Sequence, residues 1–113
     1  PLSPLSVLRL RDGRLLAVYN PVPLYTGRKP SVNGVWTGGR TPLAVRLSED
    51  DGLTWTEPEA IEEESDHGYC YTAIYVEDDH VLLAYCAGDA RTDGQCLNRL
   101  RIVHIDQGEM VTK

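Results

Sequence analysis

The chain has 113 residues, about a quarter of them charged, and a formal net charge of −6. That length bounds it to one domain, and the acidic balance excludes a phosphate-binding surface, which needs a basic stripe. No apolar run approaches membrane-spanning length, so neither nucleic acid nor a membrane is expected as a partner.

From Leu5 to Leu10 the pattern is short and largely apolar, and Asp12-Gly13 marks a tight turn. Leu15 to Tyr19 is an unbroken apolar run, which as a strand must be covered on both faces. Residues 21–39 form a long loop: Pro21, Pro23 and Pro30 deny it a ladder, and Gly27, Gly34, Gly38 and Gly39 loosen it. Tyr25, Arg28, Lys29 and Trp36 give that loop aromatic and cationic tips, and loops of such length usually serve a function. A strand over Pro42–Leu47 follows, then a turn at Ser48–Trp55, then an outer strand from Trp55 to about Ile61 that Pro58 confines to a sheet edge. Glu62 to Asp66 is a charged, solvated connector.

The pattern then restarts. Tyr71–Val76 is a strand, Glu77–His80 a turn, Val81–Ala87 a second doubly apolar strand, and Leu97–Ile105 a third after a loop at Gly88–Gln95. Laying Ser6 on Thr72 without a gap puts Leu8 on Ile74, Leu10 on Val76, Asp12 on Asp78, Leu16 on Leu82 and Tyr19 on Tyr85. This is an internal repeat, with no helical periodicity anywhere. It predicts an all-β chain: one four-stranded antiparallel unit over 1–62 and most of a second over 63–113. Two such units leave two apolar faces bare, so companion units or face-to-face self-association are expected. The opening at Pro1, close to a strand-like run, points the same way, to a piece of something longer.

Cys70, Cys86 and Cys96 make no disulfide framework and fit no zinc spacing, so no metal or other cofactor is expected. Pairing about the Glu77–His80 turn places Cys70 nearly opposite Cys86, within reach of a bridge, although reach is not oxidation.

Ser48-Glu49-Asp50-Asp51-Gly52-Leu53-Thr54-Trp55 has its own mechanical logic. Ser48 and Asp50 can accept backbone N–H bonds inside the turn, Gly52 supplies a positive φ, and Trp55 anchors the returning strand. The spacing S-x-D-x-G-x-T-W resembles the Asp-box, or BNR, motif at every signature position. That motif is a brace at the rim of a propeller blade, away from the substrate pocket, so Asp50 is expected to hold a turn and not to catalyse.

With the repeat, the motif resembles the sialidase-like six-bladed β-propellers, of which this chain looks like about two blades. Arg40-Thr41-Pro42-Leu43-Ala44-Val45 resembles the R-x-x-L-x-V run of that family. The resemblance implies that Arg40 is one of the arginines that clamp the sugar carboxylate, through paired charge-assisted hydrogen bonds. The bland alternative is a solvated loop arginine. Tyr71-Thr72-Ala73-Ile74 resembles the Y-[ST]-x-[LI] run that carries the tyrosine nucleophile, and sialidases depart from the two-carboxylate scheme in using one. Such a phenol needs a base, and the place for it before the first strand holds Pro4. Packing on the innermost strand is the alternative, since alternation puts Tyr69, Tyr71 and Tyr75 on one face. Tyr69 and His67 are the further candidates for substrate contact, and Glu62, Glu63 and Glu64 for a base.

The resemblance therefore implies a glycoside hydrolase that removes terminal acidic sugars such as sialic acid, in a secreted or periplasmic setting. Its partners are a glycan carrying a carboxylate and the remaining blades, and the chain alone is expected to be inactive. A non-catalytic carbohydrate- or protein-binding propeller repeat is the competing reading.

Overall fold

Alternation with a period of two sets the element type along this chain. A computed structural model describes residues 4–21, 31–32, 35–36, 40–89, 92–93 and 96–109. Among them the regular structure is antiparallel strand, apart from 3-10 turns at Cys96–Asn98 and Gln107–Glu109. None of the described helices is long and apolar enough to cross a membrane.

The strands are β1 (Ser6–Arg9), β2 (Leu15–Tyr19), β3 (Ser31–Val32), β4 (Val35–Trp36), β5 (Leu43–Ser48), β6 (Glu59–Glu62), β7 (His67–Glu77), β8 (His80–Asp89) and β9 (Leu100–Asp106). β1, β2, β5 and β6 form one sheet in that order, and β7, β8 and β9 another. The two sheets share a core. Leu16, Val18, Val45 and Leu47 of the first meet Tyr69, Val81, Leu83 and Tyr85 of the second. The apolar runs at Leu15–Tyr19 and Val81–Tyr85 are therefore strands, with Leu16, Val18, Val81 and Leu83 fully buried.

Away from that core, each sheet keeps exposed apolar groups. Leu5 and Val7 stand beside the first sheet, over a shallow depression that Ala17, Tyr19 and Trp55 complete. Tyr71, Tyr75, Leu100 and Ile102 stand out from the second.

The structure departs from the sequence expectation in several places. The outer strand starts at Glu59, not Trp55, because Pro58 has no N–H to give and Thr56 bonds early. The Thr56 N–H donates to the Leu47 carbonyl (2.9 Å), while its hydroxyl accepts from the Leu47 N–H (3.0 Å). The strand expected at Leu97 starts at Leu100. Asp93 holds the preceding residues in a turn, taking Arg99 as a two-pronged fork (2.8 and 2.7 Å) while its carbonyl accepts from Asn98 Nδ2 (2.7 Å). β7 begins at His67, four residues before the expected Tyr71.

Within the loop at 21–39, the proline-free stretch makes a two-residue ladder, Ser31 opposite Trp36 and Val32 opposite Val35. Tyr25, Arg28 and Lys29, and the Trp36 side chain, lie outside the described residues.

Laid on the first hairpin, the second is displaced by one residue on its returning strand. Leu8 pairs with Leu16, but Ile74 pairs with Leu83, not Leu82. The reason is turn length, since five residues separate Arg9 from Leu15 and only Asp78 and Asp79 separate Glu77 from His80. A one-residue slip exchanges the two faces of a strand. Hence Leu83 and Tyr85 occupy the core places of Leu16 and Val18, and the gapless match of Leu16 to Leu82 and Tyr19 to Tyr85 does not hold.

Candidate functional site

The Asp-box residues form a closed set of hydrogen bonds. Ser48 Oγ accepts from the Gly52 N–H (2.8 Å) and donates to Asp50 Oδ1 (2.9 Å). Asp50 in turn accepts the Thr54 N–H (2.8 Å) and hydroxyl (2.5 Å). These bonds, the Thr54 hydroxyl first, hold the Asp50 carboxyl down at a pKa of about 2. Trp55 Nε1 closes the turn on the Gly52 carbonyl (3.0 Å). Gly52 has φ 91°, while a Cβ there would meet only ordinary contacts at 3.6 and 3.7 Å, so backbone sign and not space demands glycine. The polar groups of Ser48, Asp50, Thr54 and Trp55 are spent on the turn, which matches the bracing role read from its spacing.

A second constellation lies where β7 passes the segment leading into β5. The Arg40 carbonyl accepts the Tyr69 N–H (2.7 Å). Buried Asn20 donates through Nδ2 to the carbonyls of Pro42 (2.9 Å) and Tyr69 (3.1 Å). The Thr41 hydroxyl donates to the Glu64 carbonyl (3.0 Å). These bonds fix the backbone of Arg40 against β7. Its guanidinium then lies over the Tyr71 ring, 5.4 Å from Cζ to the centroid, within cation–π range.

Tyr71 is re-aimed by a β-bulge. The register runs Cys70 opposite Cys86, then Ala73 opposite Ala84, so Tyr71 and Thr72 together face Tyr85 alone. Tyr71 has φ 56°, a left-handed conformation rare for a bulky residue and concentrated where function requires it. Ser6 Oγ secures the bulge by donating to the Thr72 carbonyl (2.5 Å). The result corrects the simple alternation. Tyr69 lies in the core at 0% exposure, while Tyr71, past the bulge, is 53% exposed. Tyr71 shares the outward face with Tyr75 and not with Tyr69.

Tyr69 packs edge-on against Tyr85 (centroids 6.2 Å apart) and face-on against His67 (5.7 Å). Burial drives its phenol pKa up to about 12, so Tyr69 is a packed, protonated phenol and offers no hydroxyl to the surface. His67 is half-buried, with Nδ1 3.1 Å from Asp66 and Nε2 3.8 Å from Asp89. These three groups lie close enough together to hold a cation. Among them, a hydrogen bond joins His67 Nδ1 to Asp66 Oδ1.

Glu62 is not the base of Tyr71. Its Oε2 accepts the Tyr85 hydroxyl (2.6 Å) and Arg101 Nη1 (2.6 Å). Burial, and then the Glu62 carboxylate itself, keep the Tyr85 phenol protonated, so this pair braces the sheet and does not generate a nucleophile. Sequence reasoning gave Arg101 no role. Its only advance signal is the strand alternation that puts it one residue from Ile102.

Arg40 also donates from Nη1 to Cys70 Sγ (3.3 Å) and Cys96 Sγ (3.9 Å). Burial works against its charge, but the two sulfurs outweigh it and raise its pKa overall. Cys70 does face Cys86, as the hairpin implies, and all three cysteines are free thiols. Arg40 and Tyr71 are thus brought together, while His67 stacks on the buried Tyr69 ring.

A model of the BNR repeat-like domain matches residues 1–84, a span that takes in the Asp-box, Arg40 and Tyr71. No curated relative and no solved structure matches the chain. With most of its length inside that match and its Asp-box closed as the motif requires, the chain belongs to the BNR repeat-like domain family.

Proposed function

We propose that this chain is part of a sialidase-like β-propeller in which Arg40 binds the carboxylate of a terminal acidic sugar beside Tyr71. The observation that carries this reading is the bulge. It holds a half-exposed tyrosine in a left-handed conformation directly under a guanidinium. A guanidinium over an outward phenol is what an anionic pyranose would need, one group for its carboxylate and one near its reacting carbon. The two stacked sheets are then successive blades, and the bare faces beside Val7 and beyond β9 take the neighbouring blades.

Among the described residues, no carboxylate hydrogen-bonds the Tyr71 hydroxyl, and Glu62 is held by Tyr85 and Arg101. A phenol without a base does not attack. The chain by itself therefore binds an acidic sugar without cleaving it, and catalysis belongs to the assembled propeller.

Saturation-transfer NMR of the purified chain with N-acetylneuraminic acid, against a neutral hexose, tests the binding. Selective transfer to the acidic sugar, weakened roughly tenfold or more by Arg40→Gln, is expected. Equal response to both sugars, or no effect of the substitution, overturns the reading. Release of a fluorogenic aglycone by the chain alone would show that it holds a full site.

The same lack of a base favours a second reading, a propeller that recognises acidic glycans and cleaves none. Tyr71→Phe in the whole protein separates the two. Lost turnover with retained sugar binding marks the hydrolase, and unchanged behaviour in both assays marks the binding protein.

A further inference from the structure

The two thiols beside Arg40 do nothing in the proposed sugar site, yet they are the most chemically specific cluster in the second sheet. Cys70 lies on β7 immediately before the bulge, and Cys96 opens the 3-10 turn that packs over β7 and β8. Both are buried, at 2% exposure. One nitrogen of Arg40 donates to both sulfurs. Cys86, although opposite Cys70 in the ladder, is outside that triangle.

We propose that Cys70 and Cys96 are a peroxide-sensitive dithiol that closes to a disulfide. The geometry supplies the pairing, since one guanidinium nitrogen reaches both sulfurs, at 3.3 Å for Cys70 and 3.9 Å for Cys96. A proton shared between two sulfurs leaves one as thiolate and one as thiol. The hydrogen bond from Cys70, with the positive charge of Arg40 behind it, holds the Cys96 pKa well below the ordinary thiol value. The same hydrogen bond, with burial, pushes Cys70 up. These shifts favour Cys96 as the attacking sulfur, with Cys70 keeping the proton that the second step consumes.

The chemistry balances with hydrogen peroxide as the oxidant. The Cys96 thiolate attacks one peroxide oxygen, an S–O bond forms and the O–O bond breaks. The sulfur is oxidised to a sulfenic acid, and the departing hydroxide takes a proton to become water. Cys70 then attacks the Cys96 sulfur and its proton goes to the sulfenic oxygen. An S–S bond forms, the S–O bond breaks, and a second water leaves. Two thiols and one peroxide become one disulfide and two waters. Peroxide is little larger than water, so burial of the pair slows entry without changing the product and shields it from bulkier reagents.

The product ties the 3-10 turn to the strand bearing Tyr71 and removes the negative charge from beside Arg40. The test reads the bond itself and is independent of any sugar. The folded chain is treated with a few equivalents of hydrogen peroxide, free thiols are capped, and the product is digested with trypsin and Glu-C. Those cleavages place Cys70, Cys86 and Cys96 on separate peptides, residues 65–77, 78–91 and 92–99.

A linked 65–77/92–99 peptide as the main product, lost on reduction and still formed in Cys86→Ser, is the expected result. In Cys70→Ser, a sulfenic acid on Cys96, trapped by dimedone in denaturant once the peroxide has been removed, at several times the level on Cys86 is expected as well. A Cys70–Cys86 link as the main product, or oxidation confined to Cys86, overturns the proposal. So does a full set of free thiols after peroxide, and this wild-type readout requires no variant to fold.

Discussion

The Asp-box turn and the Tyr71 bulge both interrupt a strand with left-handed backbone, and they handle it in opposite ways. In the turn, the demand falls on Asp51 and Gly52, with φ 59° and 91°, one of them glycine and the other of a type that tolerates this region. Hydrogen bonds from Ser48, Thr54 and Trp55 close around it. In the bulge, a tyrosine carries φ 56°, and its ring is turned outward under Arg40. Where the chain only has to reverse, strain is relieved locally. Where a side chain has to be presented, strain is kept and the surroundings restrain it.

Substitutions can break or sharpen this contrast. Gly52→Ala should have the largest effect, lowering stability by about 1–2 kcal/mol, the ordinary penalty of a Cβ in the left-handed region. Denaturant unfolding measures it, and a loss near zero would mean that the turn does not need its glycine. Next in size is a paired test on the outward face of β7. Tyr75→Gly, in regular strand, should lose about 1 kcal/mol, whereas Tyr71→Gly should leave stability unchanged or raise it by up to about 1 kcal/mol, because the strain goes with the side chain. Equal losses at both positions would contradict strain at the bulge.

Acid sharpens the turn's side of the comparison. The Asp50 pKa is depressed in the fold to about 2 from an ordinary 3.8, so its contribution is complete above the unfolded value and disappears as pH falls through the folded one. The stability gap between wild type and Asp50→Asn, taken from urea midpoints, should be widest near pH 5 and close progressively between about pH 4 and pH 2. A gap that widens in acid would reverse the assignment. The smallest effect belongs to Arg9, whose Nη1 donates to both Asp51 Oδ1 and the Gly13 carbonyl at 2.8 Å, linking two turns across an exposed pair. Arg9→Gln should cost about 0.5 kcal/mol or less and vanish in high salt.

What the sequence reveals divides along the same line. The Asp-box is local: eight consecutive residues contain both the donors and the acceptors, so spacing alone foretells the closed turn. The doubly apolar strands are equally plain, because Leu15–Tyr19 and Val81–Tyr85 have no polar alternative face. The bulge is not local. It arises from counting β7 against β8, and nothing in Cys70-Tyr71-Thr72-Ala73 marks the extra residue. The gapless repeat misplaces Leu82 and Leu83 for another reason, the different length of the two hairpin turns, which the apolar pattern does not reveal. The grouping of Arg40, Cys70 and Cys96, and the capture of Glu62 by Tyr85 and Arg101, depend on how the two sheets meet, which no pattern within either strand encodes.

The residue added between Cys70 and Ala73 works like one extra tooth on a gear. Upstream of it, Tyr69 meshes inward; downstream, Tyr75 meshes outward, and the two halves of a single strand run out of phase. Deleting Thr72 would bring them back into step, and a ring now facing inward would then have to trade places with one facing solvent. Chain length at this point is therefore as fixed a requirement as any side chain.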